Sequence, residues 1–378
     1  MGLMAGKSSP GEIGRLFLRL GLTAFGGPAA HIGLMQREAV ERRGWMGRER
    51  FLDLVGACNL LPGPGSTQVA MALGYSRAGW LGLSIAGVCF ILPASLATLA
   101  LAWAYLRYGG LPQAQGLLYG AKPVMVAVIV QAVWKLGRTA FRRWPLALAG
   151  AACFAAALAG APPLAVLLAS GSIALLLAWR PSSASAARGF AWLPLALGGT
   201  TAGAAGLAAL FLVFLKLGVV VFGSGYVLLA FLKADLVDRL HWVTGPQLLD
   251  AITAGQLTPG PVFATATFLG YLLRGWAGAA VATVAIFLPS FLMAGAVGAL
   301  AGRIRKSKPA AAFLDGVNAA AVALMANVCL ALGRATLVDG WSWALGLVSA
   351  ALLIRYRVNA TWLILAGAAL GFLLRGLA

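Results

Sequence analysis

The tripeptide Pro62-Gly63-Pro64 returns 197 residues later as Pro259-Gly260-Pro261, and the match is not confined to those residues. At the same offset Phe17, Gly21, Phe25 and Gly26 fall on Phe214, Gly218, Phe222 and Gly223, while Trp45 falls on Trp242. Charges repeat as well: Glu38, Glu41, Arg42 and Asp53 fall on Asp235, Asp238, Arg239 and Asp250. After a one-residue slip, Gly74, Trp80, Pro93, Gly120 and Gly137-Arg138 pair with Gly270, Trp276, Pro289, Gly316 and Gly333-Arg334. Agreement over about 120 positions marks a duplication. The chain reads as two homologous halves, 1–180 and 209–378, joined by a linker over 181–208 that has room for a helix of its own.

What each half can fold into follows from its solvent. With 61% hydrophobic and 10% charged residues and a mean hydropathy of +0.89, the chain is neither an ordinary soluble domain nor a disordered or collagen-like one. The expected class is an all-α polytopic membrane protein with the bilayer as its first partner. The net charge of +19 would in a soluble protein suggest nucleic acid. The basic residues, however, sit mostly in short connections between apolar runs, which is a topology signal and excludes a nucleic-acid partner. Cys58, Cys89, Cys153 and Cys329 each lie inside an apolar run without the spacing of a zinc site or disulfide framework. With two separated histidines, no metal and no cofactor is expected. Arg15 and Arg19 interrupt the first apolar stretch, so that segment is expected to stay in the mature chain.

Spanning segments are expected near 79–106, 117–136, 144–160 and 163–179, and again near 275–300, 310–332, 340–354 and 358–374, for roughly nine to thirteen spans in all. Arg138, Arg142 and Arg143, then Arg180 and Arg188, then Arg303, Arg305, Lys306 and Lys308 mark cytoplasmic connections. The loop after the second span is basic in the first half and nearly bare in the second, at Arg334, and the loop after the first span reverses that. The halves are therefore expected to be inserted upside down relative to each other. Inverted-topology repeats are common among secondary transporters, with the substrate near the midplane and one half rocking against the other. The side on which residues 35–50 lie, and the oligomeric state, with a homodimer as one option, stay open.

The stretch 51–75 reads as two half-helices meeting at Leu61-Pro62-Gly63-Pro64-Gly65-Ser66, each about half a hydrocarbon core long. Irregular backbone at that depth survives only inside protein or along a cavity, which predicts a re-entrant hairpin with its tip at mid-membrane. The construction recurs over 247–273, broken at Thr258-Pro259-Gly260-Pro261. Each tip opens a half-helix whose free N–H groups and positive dipole end suit an anion. Ser66, Thr67 and Gln68, with Thr258 and Thr265, add neutral donors; Asn59 and Gln256 precede the breaks at one aligned position. A single Pro-Gly-Pro is as readily a packing kink, and it is the recurrence that favours a site. Gly26-Gly27-Pro28 and Gly223-Ser224-Gly225 are a second pair of breaks, which either join the same cavity or only let helices pack closely. Lys122 interrupts an apolar segment, with Asn318 in its place in the second half. It is either an anion's counter-charge or a side chain snorkelling to an interface. Asp53 and Asp250 are candidates for proton coupling, though acids also favour exposed helix starts. His31 has no aligned partner and reads as a packing residue. No phosphate-binding loop for ATP and no nucleophile with its base is present, so a gradient-driven carrier is expected and an enzyme is not.

At Phe25-Gly26-Gly27-Pro28, Asn59-Leu60-Leu61-Pro62-Gly63-Pro64 and Leu92-Pro93-Ala94-Ser95 the sequence resembles the chromate ion transporter family in its long form with two fused domains. The resemblance implies a bacterial inner-membrane antiporter that exports chromate, a tetrahedral dianion similar to sulfate, driven by the proton-motive force and conferring chromate resistance. A sulfate or other oxyanion importer that takes chromate as a mimic is the alternative. The second half departs from the first at Gly223-Ser224-Gly225, Thr258 and Asn318, which makes the first half the better expected anion binder.

Overall fold

The computed structural model describes residues 9–25, 27–59, 61–178, 206–221, 225–304 and 308–376. Inside a bilayer every backbone N–H and C=O must be satisfied within the chain, which favours helices. Fourteen are present among the described residues: α1 (Pro10–Thr23), α2 (Pro28–Met35), α3 (Arg48–Cys58), α4 (Gly65–Tyr108), α5 (Pro112–Ala140), α6 (Trp144–Leu158), α7 (Pro163–Ala178), α8 (Leu207–Val220), α9 (Leu228–Leu232), α10 (Gly245–Leu257), α11 (Thr265–Ile304), α12 (Lys308–Thr336), α13 (Gly340–Ala351) and α14 (Ala360–Gly371). Local chemistry sets several starts. Ser9 caps α1 by accepting from the Glu12 N–H, and Thr244 with Gln247 and Asp339 with Ser342 form capping boxes at α10 and α13.

Among the described residues α4, α5, α11 and α12 are the helices long and apolar enough to cross a membrane, with α6, α7, α8 and the stretch Ala360–Arg375 as shorter apolar ones. The remaining expected spans, 144–160, 163–179, 340–354 and 358–374, fall on α6, α7, α13 and α14, of 15, 16, 12 and 12 residues, each short of the roughly 20 that a straight span needs. The breaks also leave α3, α8 and α10 at 11, 14 and 13 residues, too short to cross alone. The expected linker helix and the basic residues Arg180, Arg188, Arg305 and Lys306 lie outside the described residues.

Both long helices α4 and α11 double back on themselves. The helical dihedrals fail at Ala78-Gly79 (Gly79 φ 58°, ψ −144°) and at Arg274-Gly275 (Gly275 φ 59°, ψ −147°). Gly74 then packs on Gly82, and Gly270 on Gly278, so closely that a Cβ on any of them would run into the facing carbonyl or side chain. Residues 65–77 and 265–273 are thus the return arms of the two expected hairpins.

The helices pack in two layers. In one, α1 lies on α4, α8 on α11, and α4 on α11, with α3 against both long helices. In the other, α6 and α7 of the first half pack on α12 of the second, while α13 and α14 of the second pack on α5 of the first. The halves are interleaved, so one half cannot rock against the other as a rigid body without unpacking these contacts. The expectation drawn from the sequence is corrected on that point. Helix directions are reciprocal: Gly137 faces Val322 while Gly333 faces Val126, so α5 and α12 run antiparallel. Gly87 meets Phe291 and Trp80 meets Gly295, so the outer arms of α4 and α11 do the same. Phe17, Phe51 and Phe90 fill the interior beside α1, whereas Trp80, Leu81, Leu96, Trp276, Val284 and Leu292 are exposed apolar side chains on the outer arms, a surface suited to lipid.

Candidate functional site

Asn59 ends α3, and the chain crosses Leu61-Pro62-Gly63-Pro64 before α4 begins at Gly65. Gly63 has φ 111° and Gly260 φ 98°, the left-handed side of the map that a glycine adopts without penalty. Each uses its N–H across the duplication. Gly63 donates to the carbonyl of Val221 at 2.6 Å, and Gly260 to the carbonyl of Ala24 at 2.9 Å. Each tip is therefore tied to the helix end before the break in the other half.

The side chains around the tips are buried in protein. Gln68 donates through Nε2 to the Pro62 carbonyl at 2.6 Å. His31 is 1% exposed and lies between Ser66 Oγ, 3.3 Å from its Nδ1, and the Ala24 carbonyl, 3.1 Å from its Nε2. A carbonyl can only accept, so Nε2 carries the proton and Nδ1 accepts from Ser66. Thr258 Oγ1 lies 3.2 Å from Thr98 Oγ1 and donates to the Gly255 carbonyl at 3.1 Å. Thr67 Oγ1, Gln68 Oε1, Thr265 Oγ1 and Ser290 Oγ are buried without a hydrogen-bond partner.

Between the two layers opens a cavity of about 820 Å³. One part of its lining carries the buried Gln256 and the exposed Asn59, the aligned pair, with Pro28 at the start of α2 and Tyr226. Gln256 is 8% exposed and its Nε2 has no acceptor in hydrogen-bonding geometry. The break at Gly27 meets this part, since a Cβ there would sit 3.4 Å from Tyr226 Oη. The walls from the other layer carry Gln131, Lys135, Arg142, Arg143, Asp315, Asn318 and Arg357. Lys135, Arg142, Arg143 and Arg357 outnumber the one carboxylate, Asp315, and all five are solvent-exposed, so this rim carries a positive potential that salt screens. Elsewhere in the lining, neutral amide donors and the N-terminus of α2 are what an oxyanion can accept hydrogen bonds from.

Of the residues singled out in the sequence, Asn59 and Gln256 line this cavity. Pro62, Gly63, Pro64, Ser66, Thr67, Gln68, Thr258, Gly260 and Thr265 are buried behind it, and Gly65 is half-buried. Lys122 is no free counter-charge, because its Nζ lies 3.1 Å from Asp250 Oδ1, and Asp250 also accepts from Tyr105 Oη at 3.1 Å. Asp53 is exposed on α3. Gly26, Gly223 and Ser224 lie outside the described residues. Sequence reasoning missed Lys135, Arg357 and Tyr226, and took Arg142-Arg143 only as a topology signal; the recruitment of Lys135, Arg142, Arg143 and Arg357 to one wall needs the packing of α5 on α13 and α14.

The family model for the chromate transporter matches residues 11–175 and 208–372. The chromate transport protein of Cupriavidus metallidurans is 34% identical over 365 residues, covering 94% of this chain and 90% of the relative. That of Pseudomonas aeruginosa is 32% identical over 378 residues, with the same coverage. A probable chromate transport protein of Synechococcus elongatus is 32% identical over 348 residues, or 89% of this chain and 88% of the relative. No solved structure matches the chain.

Proposed function

The chain belongs to the chromate transporter family, and on that premise we propose that it exports chromate across a bacterial inner membrane, driven by the proton-motive force. The observation that carries this reading is the cavity whose lining joins four basic side chains to Asn59 and Gln256. Arg142 and Arg143, on the loop after α5, are cytoplasmic by the positive-inside rule, so the cavity opens to the side from which an exporter must collect its substrate. Lys135, Arg142, Arg143 and Arg357 draw in the dianion. Asn59, Gln256 and the N-terminus of α2 bind it, with the buried hydroxyls and amides of Ser66, Thr67, Gln68, Thr258 and Thr265 holding the tips in place behind them. Lys122 and the acids Asp250 and Asp53 stand outside this binding set.

The two halves act as inverted repeats, a reading supported by the antiparallel α5 and α12 and by the reciprocal bonds of Gly63 and Gly260. Because the halves interleave, alternating access moves the layer of broken helices against the layer of α5–α7 and α12–α14.

The test is uptake of labelled chromate by everted membrane vesicles with and without an imposed proton gradient, against vesicles that lack the protein. Gradient-dependent accumulation abolished by an uncoupler is expected. No accumulation, together with sulfate uptake by right-side-out vesicles, would replace the exporter with a sulfate importer.

A further inference from the structure

We propose that Lys122 and Asp250 form a latch between the two layers that proton binding to Asp250 releases, a role that rests on the proton-coupled export argued above. Lys122 belongs to α5 in one layer and Tyr105 to α4 in the other, while Asp250 sits between them on α10, which packs on α4 and α11 as well as on α5, α12 and α14. The ion pair of 3.1 Å and the Tyr105–Asp250 hydrogen bond of 3.1 Å therefore link α5 to α4 through Asp250, across the boundary along which the layers must slide. By contrast, the pairs Lys216–Asp235, Arg239–Asp235, Lys233–Asp238, Arg42–Glu38 and Arg375–Asp339 each stay within one layer.

The two partners are unequal in a way that decides which one must change its charge. Asp250 is 4% exposed and the Lys122 side chain 23%. When the layers part, Lys122 can carry its ammonium to water along a flexible stem. Asp250 cannot, and an uncompensated carboxylate in a low-dielectric interior is costly enough to hold the pair together. One proton delivered by hydronium turns the carboxylate into a neutral acid: an O–H bond forms on Asp250, one O–H bond of the hydronium breaks and water is left, Lys122 keeps its own protons, and Tyr105 stays as a neutral partner. The attraction then falls away and separation strands no buried charge.

The groups facing Asp250 are Lys122 from α5 and Tyr105 from α4. The other elements packed on α10 send their titratable groups elsewhere. Asp315 and Arg334 of α12 line two separate cavities, and Tyr271 of α11 stacks on Trp276. Arg274 sits at the α11 kink, Asp235 and Asp238 are paired with lysines, and α14 has no titratable side chain. The duplication does not repeat the device, because Asn318 stands where Lys122 would and lines the cavity. The latch is single, so one coupled proton per cycle passes through it.

The test reads the layers directly. A cysteine replacing Thr139 on the cavity wall is labelled in everted vesicles by a membrane-impermeant maleimide between pH 6 and 8.5, with the protein lacking that cysteine as the blank. With the latch intact, labelling relative to the denatured protein falls several-fold as the pH drops. Asp250→Asn gives a low, flat profile, and Asp250→Glu restores a pH-dependent one. If Asp250→Asn does not reach the membrane, Lys122→Gln takes its place with the same flat profile expected. A pH profile in Asp250→Asn, or in its substitute, that matches the unaltered chain overturns the proposal. Labelling needs no chromate, so loss of the chromate reading and loss of the latch are told apart.

Discussion

Gly63 donates its N–H to the carbonyl of Val221 at 2.6 Å, which fastens the hairpin tip of one half to the end of α8 in the other. Gly260 makes the equivalent bond to Ala24 at the end of α1. Each tip is thus fastened to the end of a helix from the other half, α8 for Gly63 and α1 for Gly260.

A Cβ at either glycine meets two obstacles, a positive φ and a filled space. At Gly63 it would lie 2.8 Å from Gln68 Nε2 and from Ser290 Oγ, and at Gly260 2.8 Å from the Ala94 Cβ. Gly63→Ala and Gly260→Ala should each cost about 1–3 kcal/mol, read as a lower unfolding temperature in detergent. A variant as stable as the unaltered chain would show that the tips have slack.

The vestibule charges act at a distance, and their effect can be sized. Through about 10 Å of water, one cation and a dianion attract by roughly 0.8 kcal/mol before screening, or about fourfold in affinity. Arg142→Gln and Arg143→Gln together should therefore raise the KM for chromate roughly tenfold in low salt and less in 150 mM salt, where the Debye length is about 8 Å. A salt-independent KM equal in both proteins would remove the arginines from the substrate's path.

Asn59 and Gln256 occupy aligned positions, both line the cavity, and they should act as a pair. A hydrogen bond to a charged group is worth about 1.5–3 kcal/mol, so Asn59→Ala and Gln256→Ala should each raise KM roughly 10- to 100-fold. Uptake kinetics in vesicles check this, normalised to the amount of protein in the membrane. An effect confined to Asn59 would mean that the first half alone holds the anion.

Asp339 offers a pH dependence outside the spans. It caps α13 through the Ser342 N–H, accepts from Tyr119 Oη at 2.7 and 2.8 Å, and pairs with Arg375 at 2.8 Å. The Ser342 backbone N–H first, and then the Tyr119 hydroxyl, hold its carboxyl below the ordinary carboxylate value. A folded value below the unfolded one means stability that is complete at neutral pH and lost as the pH falls through the folded value. The difference in unfolding temperature between the unaltered chain and Asp339→Asn should therefore be largest near pH 7 and shrink in acid. A difference that does not change with pH would leave the carboxylate no part in it.

The helical class and the positions of the breaks were legible in the sequence because each is local. A proline lacks its N–H and a glycine tolerates positive φ wherever they stand, and apolar runs in lipid become helices. The hairpins over 51–75 and 247–273 follow from those facts alone. Which side chains meet does not. Ser66, Thr67 and Gln68 stood beside the tip in sequence, yet the rotation of α4 turns them into packed protein, while Asn59 and Gln256 face the cavity. Lys122 and Asp250 read as separate candidates and prove to be one ion pair, since positions so far apart in sequence are brought together only when α5 packs on α10. Local sequence decides where a helix starts, stops and breaks; the packing of the two layers decides which faces point inward, and the site is made of those faces.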